Sequence, residues 1–380
     1  MYPDKQTRRM KSIVGNILTP AGFVSGVLEL GADGRVLAVR GEPVDEAQVL
    51  ESQQPLLLPG FIDLHVHGGG GRDIMEGGDA LSRVAQLHAR HGTTALLATT
   101  MTAPGSDLEQ AFRAMREQAQ QPHPAAATVL GVHLEGPYIN RAKLGAQPDF
   151  ARAVQLDELQ RLHALFPIRL ITLAPEVAGN MALIAPLCQA GFRVQIGHSS
   201  GSYEEGVQAL ACGAAGFTHL FNAMSPLQHR APGMVGAALA HADYAEIIPD
   251  LVHVHPGAVR VALRAIPKLY CVTDSTAASG MPDGEYRLGR HTVTKCLGGV
   301  RLADGTLAGS ALTMDQAFRN LVQQLGLGLS EASERVSSHA ADYLGLTDRG
   351  RLLPGAWADV VRLNRDLELQ DVYLEGRLIE

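Results

Sequence analysis

Eight short apolar runs recur along most of the chain, and each is separated from the next by a segment with helical spacing. The runs are, in order, LLLPGFIDLHVH, TTALLATTMT, ATVLGVHLEG, IRLITLAPE, FRVQIGHSS, AAGFTHLFN, AEIIPDLVHVH and KLYCVTDST. The intervening segments, for example ALSRVAQLHARHG and YEEGVQALACG, place apolar residues on one helical face and end at glycine. This alternation is typical of parallel strands joined by helices, and eight units of it predict an α/β protein built on a (β/α)8 TIM barrel.

The two flanks of this region have a different pattern. Residues 12–55 and the tail from Gly350 alternate apolar and polar residues around Gly and Asp-Gly turns, as short antiparallel strands do. Because neither flank has enough strands for a core of its own, we expect the two to pair into one small β-sandwich. The predicted domains are therefore a β-sandwich from residues 1–55 and 351–380 and a barrel over residues 56–350. A hairpin-like segment, YRLGRHTVTKCLGGVRLADGTLAG, precedes a helix predicted to start near Ser310.

Charge and cysteine content exclude some classes of partner and compartment. The chain has 32 Lys and Arg against 39 Asp and Glu, a net charge of -7, and no basic run that would follow a phosphate backbone, so a nucleic acid is not an expected partner. Cys188, Cys212, Cys271 and Cys296 are scattered without a CxxC pair, which suits a reducing compartment. No run of about 18 apolar residues occurs, and the charged start is not followed by an unbroken apolar region. We therefore predict a cytoplasmic protein without a membrane partner.

Two histidines, His65 and His67, stand one residue apart at the end of the first predicted barrel strand. Residues i and i+2 of a strand point to the same face, so the two imidazoles can address one point, as a metal clamp requires. Taken alone, the pair fits equally well with two polar side chains whose hydrogen bonds are satisfied by the backbone at a strand end.

Four more titratable residues stand where later predicted strands end. Glu135, His198 and His219 each follow an apolar run, and Asp274 ends the last one. Functional groups of such barrels lie where strands give way to the following loops, so all six side chains should meet at one opening. Imidazole and carboxylate ligands suit Zn²⁺, or Fe²⁺, Mn²⁺ and similar ions. Asp274 could bind the metal, transfer a proton as a general base and acid, or cap the following loop.

The motifs PGFIDLHVHG, HLEGPYIN, GHSS, THLFNAMSPLQHRAPG, VTDSTAASG and LAGSALTM occur in this order. Together they resemble the N-acetylglucosamine-6-phosphate deacetylases of the amidohydrolase superfamily, and the resemblance extends from residue 12 to the C-terminus. Many superfamily members hold a bridging metal with a carbamylated lysine, whereas this chain offers Glu135 at the third strand. That difference favours the deacetylase branch over dihydroorotase-like or urease-like enzymes.

The resemblance implies a role for each of these residues. Glu135, His198 and His219 match the ligands of the metal common to the family. His65 and His67 match the pair that holds a second metal in members possessing it, so one ion or two per subunit stays open. Zinc is the first expectation, with iron, manganese, cobalt or nickel as alternatives. Asp274 matches the catalytic acid and base.

The resemblance also implies a site for a small amino-sugar phosphate. The matching positions are Ala146, Asn222, Ala223, Arg230, Asp250, His253, Leu307, Ala308 and Gly309. A phosphate dianion favours guanidinium and imidazole donors, which Arg230 and His253 offer. The alternatives are a solvated loop arginine and a buried strand histidine. Family members also imply a homodimer in which the neighbouring subunit contributes to the phosphate site.

Two positions depart from the family pattern. Where relatives commonly have glycine after the aspartate of Asp-Gly-x-His, this chain has Leu251, so the loop is expected to lie differently. Where some relatives carry a histidine that polarises the acetyl carbonyl, this chain has Gln147, whose amide can donate a hydrogen bond but cannot carry charge.

The predicted function is metal-dependent deacetylation of N-acetylglucosamine 6-phosphate to glucosamine 6-phosphate and acetate, in amino-sugar catabolism. An alternative within the superfamily is hydrolysis of N-acetylgalactosamine 6-phosphate or of another N-acyl compound such as an N-acyl amino acid. A further alternative is a non-catalytic sugar-phosphate sensor on the same barrel, against which the complete set of ligands and Asp274 argues.

Overall fold

The computed structural model describes residues 11–379. The parts of the predicted terminal domain at residues 1–10 and 380, and most of the charged start, lie outside the described residues. The strands are β1 (Lys11–Thr19), β2 (Gly22–Leu30), β3 (Val36–Val44), β4 (Leu56–Pro59), β5 (Phe61–Val66), β6 (Gly68–Gly69), β7 (Arg72–Asp73), β8 (Thr93–Thr100), β9 (Thr128–Glu135), β10 (Ile168–Leu173), β11 (Arg193–Ile196), β12 (Gly216–Phe217), β13 (Tyr244–Ile247), β14 (Lys268–Cys271), β15 (Gly284–Leu288), β16 (His291–Cys296), β17 (Gly299–Arg301), β18 (Val360–Leu363), β19 (Leu369–Leu374) and β20 (Arg377–Leu378).

Apart from α1, which precedes the barrel, the helices lie between and after the barrel strands. They are α1 (Glu46–Glu51), α2 (Ala80–Arg90), α3 (Gly105–Ala119), α4 (Leu156–Leu165), α5 (Asn180–Gln189), α6 (Tyr203–Ala211), α7 (Gly233–His241), α8 (Pro256–Ala265), α9 (Met314–Arg319), α10 (Leu329–Val336) and α11 (Ser338–Tyr343), with short helical turns at Ile74–Glu76, Arg141–Lys143 and Asn320–Gln324. The two segments predicted as amphipathic helices are α2 and α6. At the start of α6, Ser202 and Glu205 form a reciprocal capping box.

The eight predicted apolar runs form the eight strands of one parallel sheet. Strands β5 and β8–β14 lie side by side in chain order, with α2–α8 in the crossovers between them. Every residue of β5 and β8 is buried, as expected of parallel strands covered on both faces. The predicted (β/α)8 barrel is therefore confirmed.

The first and last strands of the barrel meet through side-chain and backbone hydrogen bonds. The carboxylate of Asp63 on β5 accepts from Thr273 Oγ1 at 2.6 Å and from the Thr273 backbone N–H at 3.2 Å. Directly above, the backbone N–H of Asp274 donates to His65 O at 2.9 Å. Closing the barrel therefore also places Asp274 beside the histidines of the first strand.

The terminal segments share a seven-stranded sheet with the order β20-β19-β18-β4-β1-β2-β3. Antiparallel strands occur in both flanks, as predicted. The N-terminal and C-terminal parts are joined by β4, which pairs parallel with β1 and antiparallel with β18. Since β4 lies within the segment assigned by sequence to the barrel, the sheet reaches one strand beyond residue 55, and the domain division itself stays a prediction.

The hairpin-like segment after the barrel forms the three-stranded antiparallel sheet β15-β16-β17. The helix predicted near Ser310 begins instead at Met314. The reason is that Ser310 is held in extended conformation along the end of β14, with its N–H donating to Asp274 O at 2.7 Å and its Oγ donating to Thr273 O at 2.5 Å.

No helix within residues 11–379 has the length and apolar character needed to cross a membrane.

A buried ion pair ties the segment after α11 to the terminal sheet. Arg349 pairs with Asp359, and its second Nη lies 2.5 Å from Glu375 Oε1. The Asp359 side chain is 3% exposed; Arg349 supplies its counter-charge, and the backbone N–H of Glu375 donates to its Oδ1 at 2.9 Å. This arginine is therefore expected to contribute strongly to the stability of the fold.

Replacing Arg349 by Met should lower the free energy of unfolding by about 3–5 kcal/mol, because it leaves the Asp359 carboxylate buried without a counter-charge. Urea unfolding followed by circular dichroism measures the loss. The matched control is Arg40→Met, which removes a solvent-exposed pair with Glu29 and should cost less than about 1 kcal/mol. Equal losses of unfolding free energy in the two variants would contradict a stabilising role for the buried Arg349–Asp359 pair.

Candidate metal centre

The six side chains predicted to bind metal or to catalyse lie together at the carboxyl ends of five barrel strands. They are His65 and His67 on β5, Glu135 on β9, His198 after β11, His219 after β12 and Asp274 after β14. None is more than 8% exposed. Three of them have left-handed backbone conformations, with φ of 49° at His198, 28° at His219 and 49° at Asp274. Non-glycine residues in this region are strained, and such strain concentrates at functional sites.

Glu135 is the centre of the cluster. Its Oε1 lies 2.9 Å from His219 Nε2 and 3.0 Å from His198 Nε2, and its Oε2 lies 3.1 Å from His67 Nε2. The next residue, Gly136, has φ of 68°, and a Cβ there would lie 2.1 Å from Thr102 Oγ1. Only glycine lets the chain turn away directly after the carboxylate.

The ligand atoms of these six residues form two adjacent groups, Glu135 with His198 and His219, and His65 with His67 and Asp274. A third group of potential ligands joins His65 to His133 and Glu246. In the second group the two Nε2 atoms are 3.1 Å apart, and Asp274 Oδ1 lies 3.4 Å from His65 Nε2 and 3.3 Å from His67 Nε2. Glu135 borders both groups, since its Oε1 is also 3.5 Å from His65 Nε2. The arrangement can hold one ion or two.

The outer nitrogens of two histidines show which tautomer they adopt. His198 Nδ1 lies 2.7 Å from the backbone oxygen of Lys143, and His65 Nδ1 lies 3.0 Å from Glu246 Oε2. Both partners only accept hydrogen bonds, so each Nδ1 carries the proton and each Nε2 turns its lone pair toward the cluster. This is the orientation of a metal-binding imidazole.

The electrostatics of the cluster favour a cation. Burial alone would lower the pKa of His67, but Asp274 and Glu135 raise it to about 9. Burial alone would raise the pKa of Asp274, but His65 and His67 lower it to about 2. The buried carboxylates therefore require positive charge among the imidazoles, and a divalent ion supplies it while leaving the nitrogens unprotonated. Nitrogen and carboxylate donors in this number suit zinc and similar metals.

A cavity of about 280 Å³ opens over the cluster. Six of the nine predicted substrate-binding residues line it: Ala146, Asn222, Ala223, His253, Leu307 and Gly309. Asp250 lies behind His253, with its Oδ2 2.7 Å from Nδ1, and Ala308 is fully buried. Arg230 is exposed and is not among the described residues that line the cavity of its own chain.

Both departures from the family pattern are accommodated in the structure. Gln147 lines the cavity, donates from Nε2 to Glu135 Oε2 at 2.5 Å, and accepts from the Thr102 N–H at 2.7 Å, so one N–H of its amide remains for another acceptor. Leu251 has φ of 64°, the left-handed conformation that glycine favours, so the loop keeps that conformation at some cost in strain. Whether the loop lies differently from that of relatives stays a prediction.

Sequence reasoning did not single out two charged residues that contact the site. Lys143 lines the cavity, and its Nζ donates to Met224 O at 3.0 Å. Glu246 lies on β13 beneath the metal ligands. A signal for Glu246 was present, since an acid within the apolar run AEIIPD is rarely buried without a specific partner. Lys143 stands in a polar loop, where a lysine gives no such signal.

Comparison with known proteins identifies similar chains. The profile described as the amidohydrolase family matches residues 56–379. The chain is 39% identical over 369 residues to an N-acetylgalactosamine-6-phosphate deacetylase of Escherichia coli O157:H7, covering 95% of this chain and 97% of that one. It is 39% identical over 359 residues to an N-acetylglucosamine-6-phosphate deacetylase of Lysinibacillus sphaericus, covering 91% of each.

Solved structures agree with these similarities. A variant of the Mycobacterium smegmatis N-acetyl-D-glucosamine-6-phosphate deacetylase, in complex with N-acetyl-D-glucosamine-6-phosphate, superposes with a TM-score of 0.88 at 33% identity, covering 97% of this chain and 99% of that one. The Thermotoga maritima N-acetylglucosamine-6-phosphate deacetylase gives a TM-score of 0.88 at 32% identity with the same coverage.

Replacing Glu135 by Gln should reduce bound metal to a small fraction of the wild-type content, because the carboxylate borders both groups of ligand atoms. Metal analysis of the purified protein measures this, with circular dichroism confirming the fold. The control is Glu158→Gln, which alters another buried carboxylate, bonded to Tyr138 and Arg152, and should leave metal content unchanged. Normal metal content in Glu135→Gln would refute the central role of this residue.

Proposed function

The chain belongs to the amidohydrolase family, and on that premise we propose that it is a metal-dependent amide hydrolase. The reaction converts N-acetylglucosamine 6-phosphate and water into glucosamine 6-phosphate and acetate, which is a step of amino-sugar catabolism. The observation that carries the proposal is the Glu135-centred cluster, with Asp274 beside it, at the floor of a cavity lined by the predicted sugar-phosphate residues. Relatives and solved structures named as deacetylases of this compound support it along nearly the whole chain.

Asp274 performs the proton transfers. A divalent ion, when bound by the cluster, supplies the Lewis acid that polarises the acetyl carbonyl and activates water. Burial alone would raise the pKa of Asp274, but His65 and His67 lower it to about 2, so the carboxylate is ionised at neutral pH. It accepts the proton of the attacking water. It returns that proton to the amine nitrogen as the C–N bond breaks. Gln147 can donate its second N–H to the acetyl oxygen.

His253 and Lys143 are proposed to recognise the phosphate. Burial alone would lower the pKa of His253, but its hydrogen bond and charge interaction with Asp250 raise it, so the imidazolium form is favoured. The Asp250 contact occupies Nδ1 and leaves Nε2–H for an anion. Lys143 is the other cation outside the metal cluster among the described residues lining the cavity. Charge-assisted donors of this kind are the ones that bind a phosphate dianion tightly.

Three further expectations accompany the proposal. We propose a homodimer in which Arg230 serves the phosphate site of the neighbouring subunit; in support, Arg230 is exposed and does not line the cavity of its own chain. We propose zinc as the metal, with iron, manganese, cobalt or nickel as alternatives, because the donors are nitrogen and carboxylate oxygen. A cytoplasmic location is supported by the four cysteines, all of which are free.

A second candidate substrate is N-acetylgalactosamine 6-phosphate. The observation that favours it is the similarity to the Escherichia coli O157:H7 enzyme, which at 39% identity is as close as the glucosamine-named relative above. The two substrates differ only in the configuration of one hydroxyl, so the metal cluster, Asp274 and the phosphate contacts serve both equally.

Acetate release should be fast from N-acetylglucosamine 6-phosphate, abolished by a chelator, and at least tenfold slower from the unphosphorylated sugar, because the phosphate contacts supply binding energy. The same assay on the galactose epimer decides between the two candidate substrates.

A Lys143→Gln variant should raise KM for the phosphorylated sugar by about 10- to 100-fold, because it loses one charge-assisted hydrogen bond to the phosphate. Its kcat should stay nearly unchanged.

The control for Lys143→Gln is Arg141→Gln, which removes a cation two residues away that is exposed and paired with Asp149. Its KM should stay within about twofold of wild type. An equal effect of Lys143→Gln on phosphorylated and unphosphorylated sugars would rule out a phosphate contact, and no acetate release from any of the sugars would rule out the proposed function.

Replacing Asp274 by Asn should lower kcat by about 10²- to 10⁴-fold, because the amide cannot accept the proton of the attacking water. Metal content should stay at the wild-type level if the group acts in proton transfer. Steady-state kinetics and metal analysis on the same preparation measure both quantities. Retained turnover, or loss of metal together with turnover, would contradict this role.

A further inference from the structure

We propose that Glu246, which no sequence motif marked, is the positioning residue that prepares His65 to bind a second metal ion and links that ion to the ligands of the first. The inference rests on the metal-dependent function proposed above. It concerns how many ions the site holds and which residue outside the ligand set decides that number.

Glu246 is an unusual residue for the place it occupies. It lies on β13, is fully buried, and is surrounded by the interior of the barrel. Within the described part of the chain, the one ion pair that it makes is with His65. A buried carboxylate is expensive unless its partners compensate the charge, so its interaction with His65 must be part of what keeps it there.

One oxygen of Glu246 contacts both groups of metal ligands. Its Oε2 lies 3.0 Å from His65 Nδ1 and 3.1 Å from the backbone N–H of His219. His65 belongs to the group with His67 and Asp274, and His219 belongs to the group with Glu135 and His198. The carboxylate therefore anchors one ligand of each group from below.

The other oxygen is held by a hydrogen-bond network that keeps the carboxylate from rotating. Gln195 Nε2 donates to Glu246 Oε1 at 3.0 Å, and the Tyr270 hydroxyl donates to Gln195 Oε1 at 2.6 Å and approaches Glu246 Oε1 at 3.4 Å. Three donors, from His65, His219 and Gln195, therefore serve the two oxygens of the carboxylate, whereas an amide would turn its own N–H groups toward at least one of them.

The consequence for His65 is a fixed tautomer and a fixed ring position. With Nδ1–H donating to Glu246, His65 Nε2 keeps its lone pair directed at the space between His67, Glu135 and Asp274. If Glu246 did not accept this proton, the proton could move to Nε2, which would then donate to a carboxylate and be lost as a ligand. Removing a hydrogen-bond partner behind a metal-binding histidine typically weakens metal affinity by about 10- to 100-fold.

The test is titration of metal-free protein with Zn²⁺, with bound ions counted after equilibrium dialysis. The wild type should bind two ions per chain. Glu246→Gln removes the carboxylate charge that favours a proton on His65 Nδ1, so it should raise the Kd of the weaker ion by about 10- to 100-fold. The Kd of the tighter ion should change by less than about threefold, because Glu246 contacts His219 through its backbone N–H and not through its imidazole. Tyr270→Phe is the matched control, since it alters the same buried network without a histidine contact, and both Kd values should stay within about twofold of wild type.

Three results would overturn the inference: one ion per wild-type chain, unchanged affinities in Glu246→Gln, or equal weakening of both ions. Should Glu246→Gln not fold, nitrogen-15 NMR of histidine-labelled wild type decides, because metal-loaded His65 must carry its proton on Nδ1, and a proton on Nε2 contradicts the proposal. Acetate release is measured separately: two ions with the expected pattern but no deacetylation would leave this inference standing and reject the proposed function.

Discussion

The carboxylate of Glu135 is the group around which the site is built. Three imidazole nitrogens lie within about 3.1 Å of its oxygens, and Gln147 donates to it from the cavity wall. Such a charge is stable in the interior only when cationic or donor groups surround it. The surrounding histidines and the need for a cation both follow from compensating this buried carboxylate, to which Asp274 adds a second negative charge.

The barrel makes that concentration of polar groups possible. Side chains at the carboxyl ends of neighbouring parallel strands converge, although they are far apart along the chain. Closure through Asp63 and Thr273 brings the last strand to the first, so Asp274 reaches His65 and His67. The strained, left-handed backbone conformations of His198, His219 and Asp274 are maintained because the packed strands that precede these residues restrict the course of the backbone.

Below the ligands, the barrel interior is polar where a core is usually apolar. Glu246, Gln195 and Tyr270 form a connected network in which each donor has an acceptor, and such a network is rigid when it is complete. A rigid network supports metal binding by His65, because a metal-binding imidazole must keep one tautomer and one orientation. The network therefore connects the packing of the fold to the chemistry at its open end.

The sequence alone determined the fold class, the eight strands and the six residues at their ends, because periodicity and strand-end position are local properties that the barrel converts directly into a common site. Only the tertiary structure decided which residues meet. It left Arg230 out of the lining of its own cavity, placed Lys143 in that lining, and showed that the helix expected near Ser310 starts at Met314. It also joined Glu246 to His65 across 181 residues of chain. Contacts at such separations depend on how strands are ordered and closed, and no spacing along the sequence encodes them.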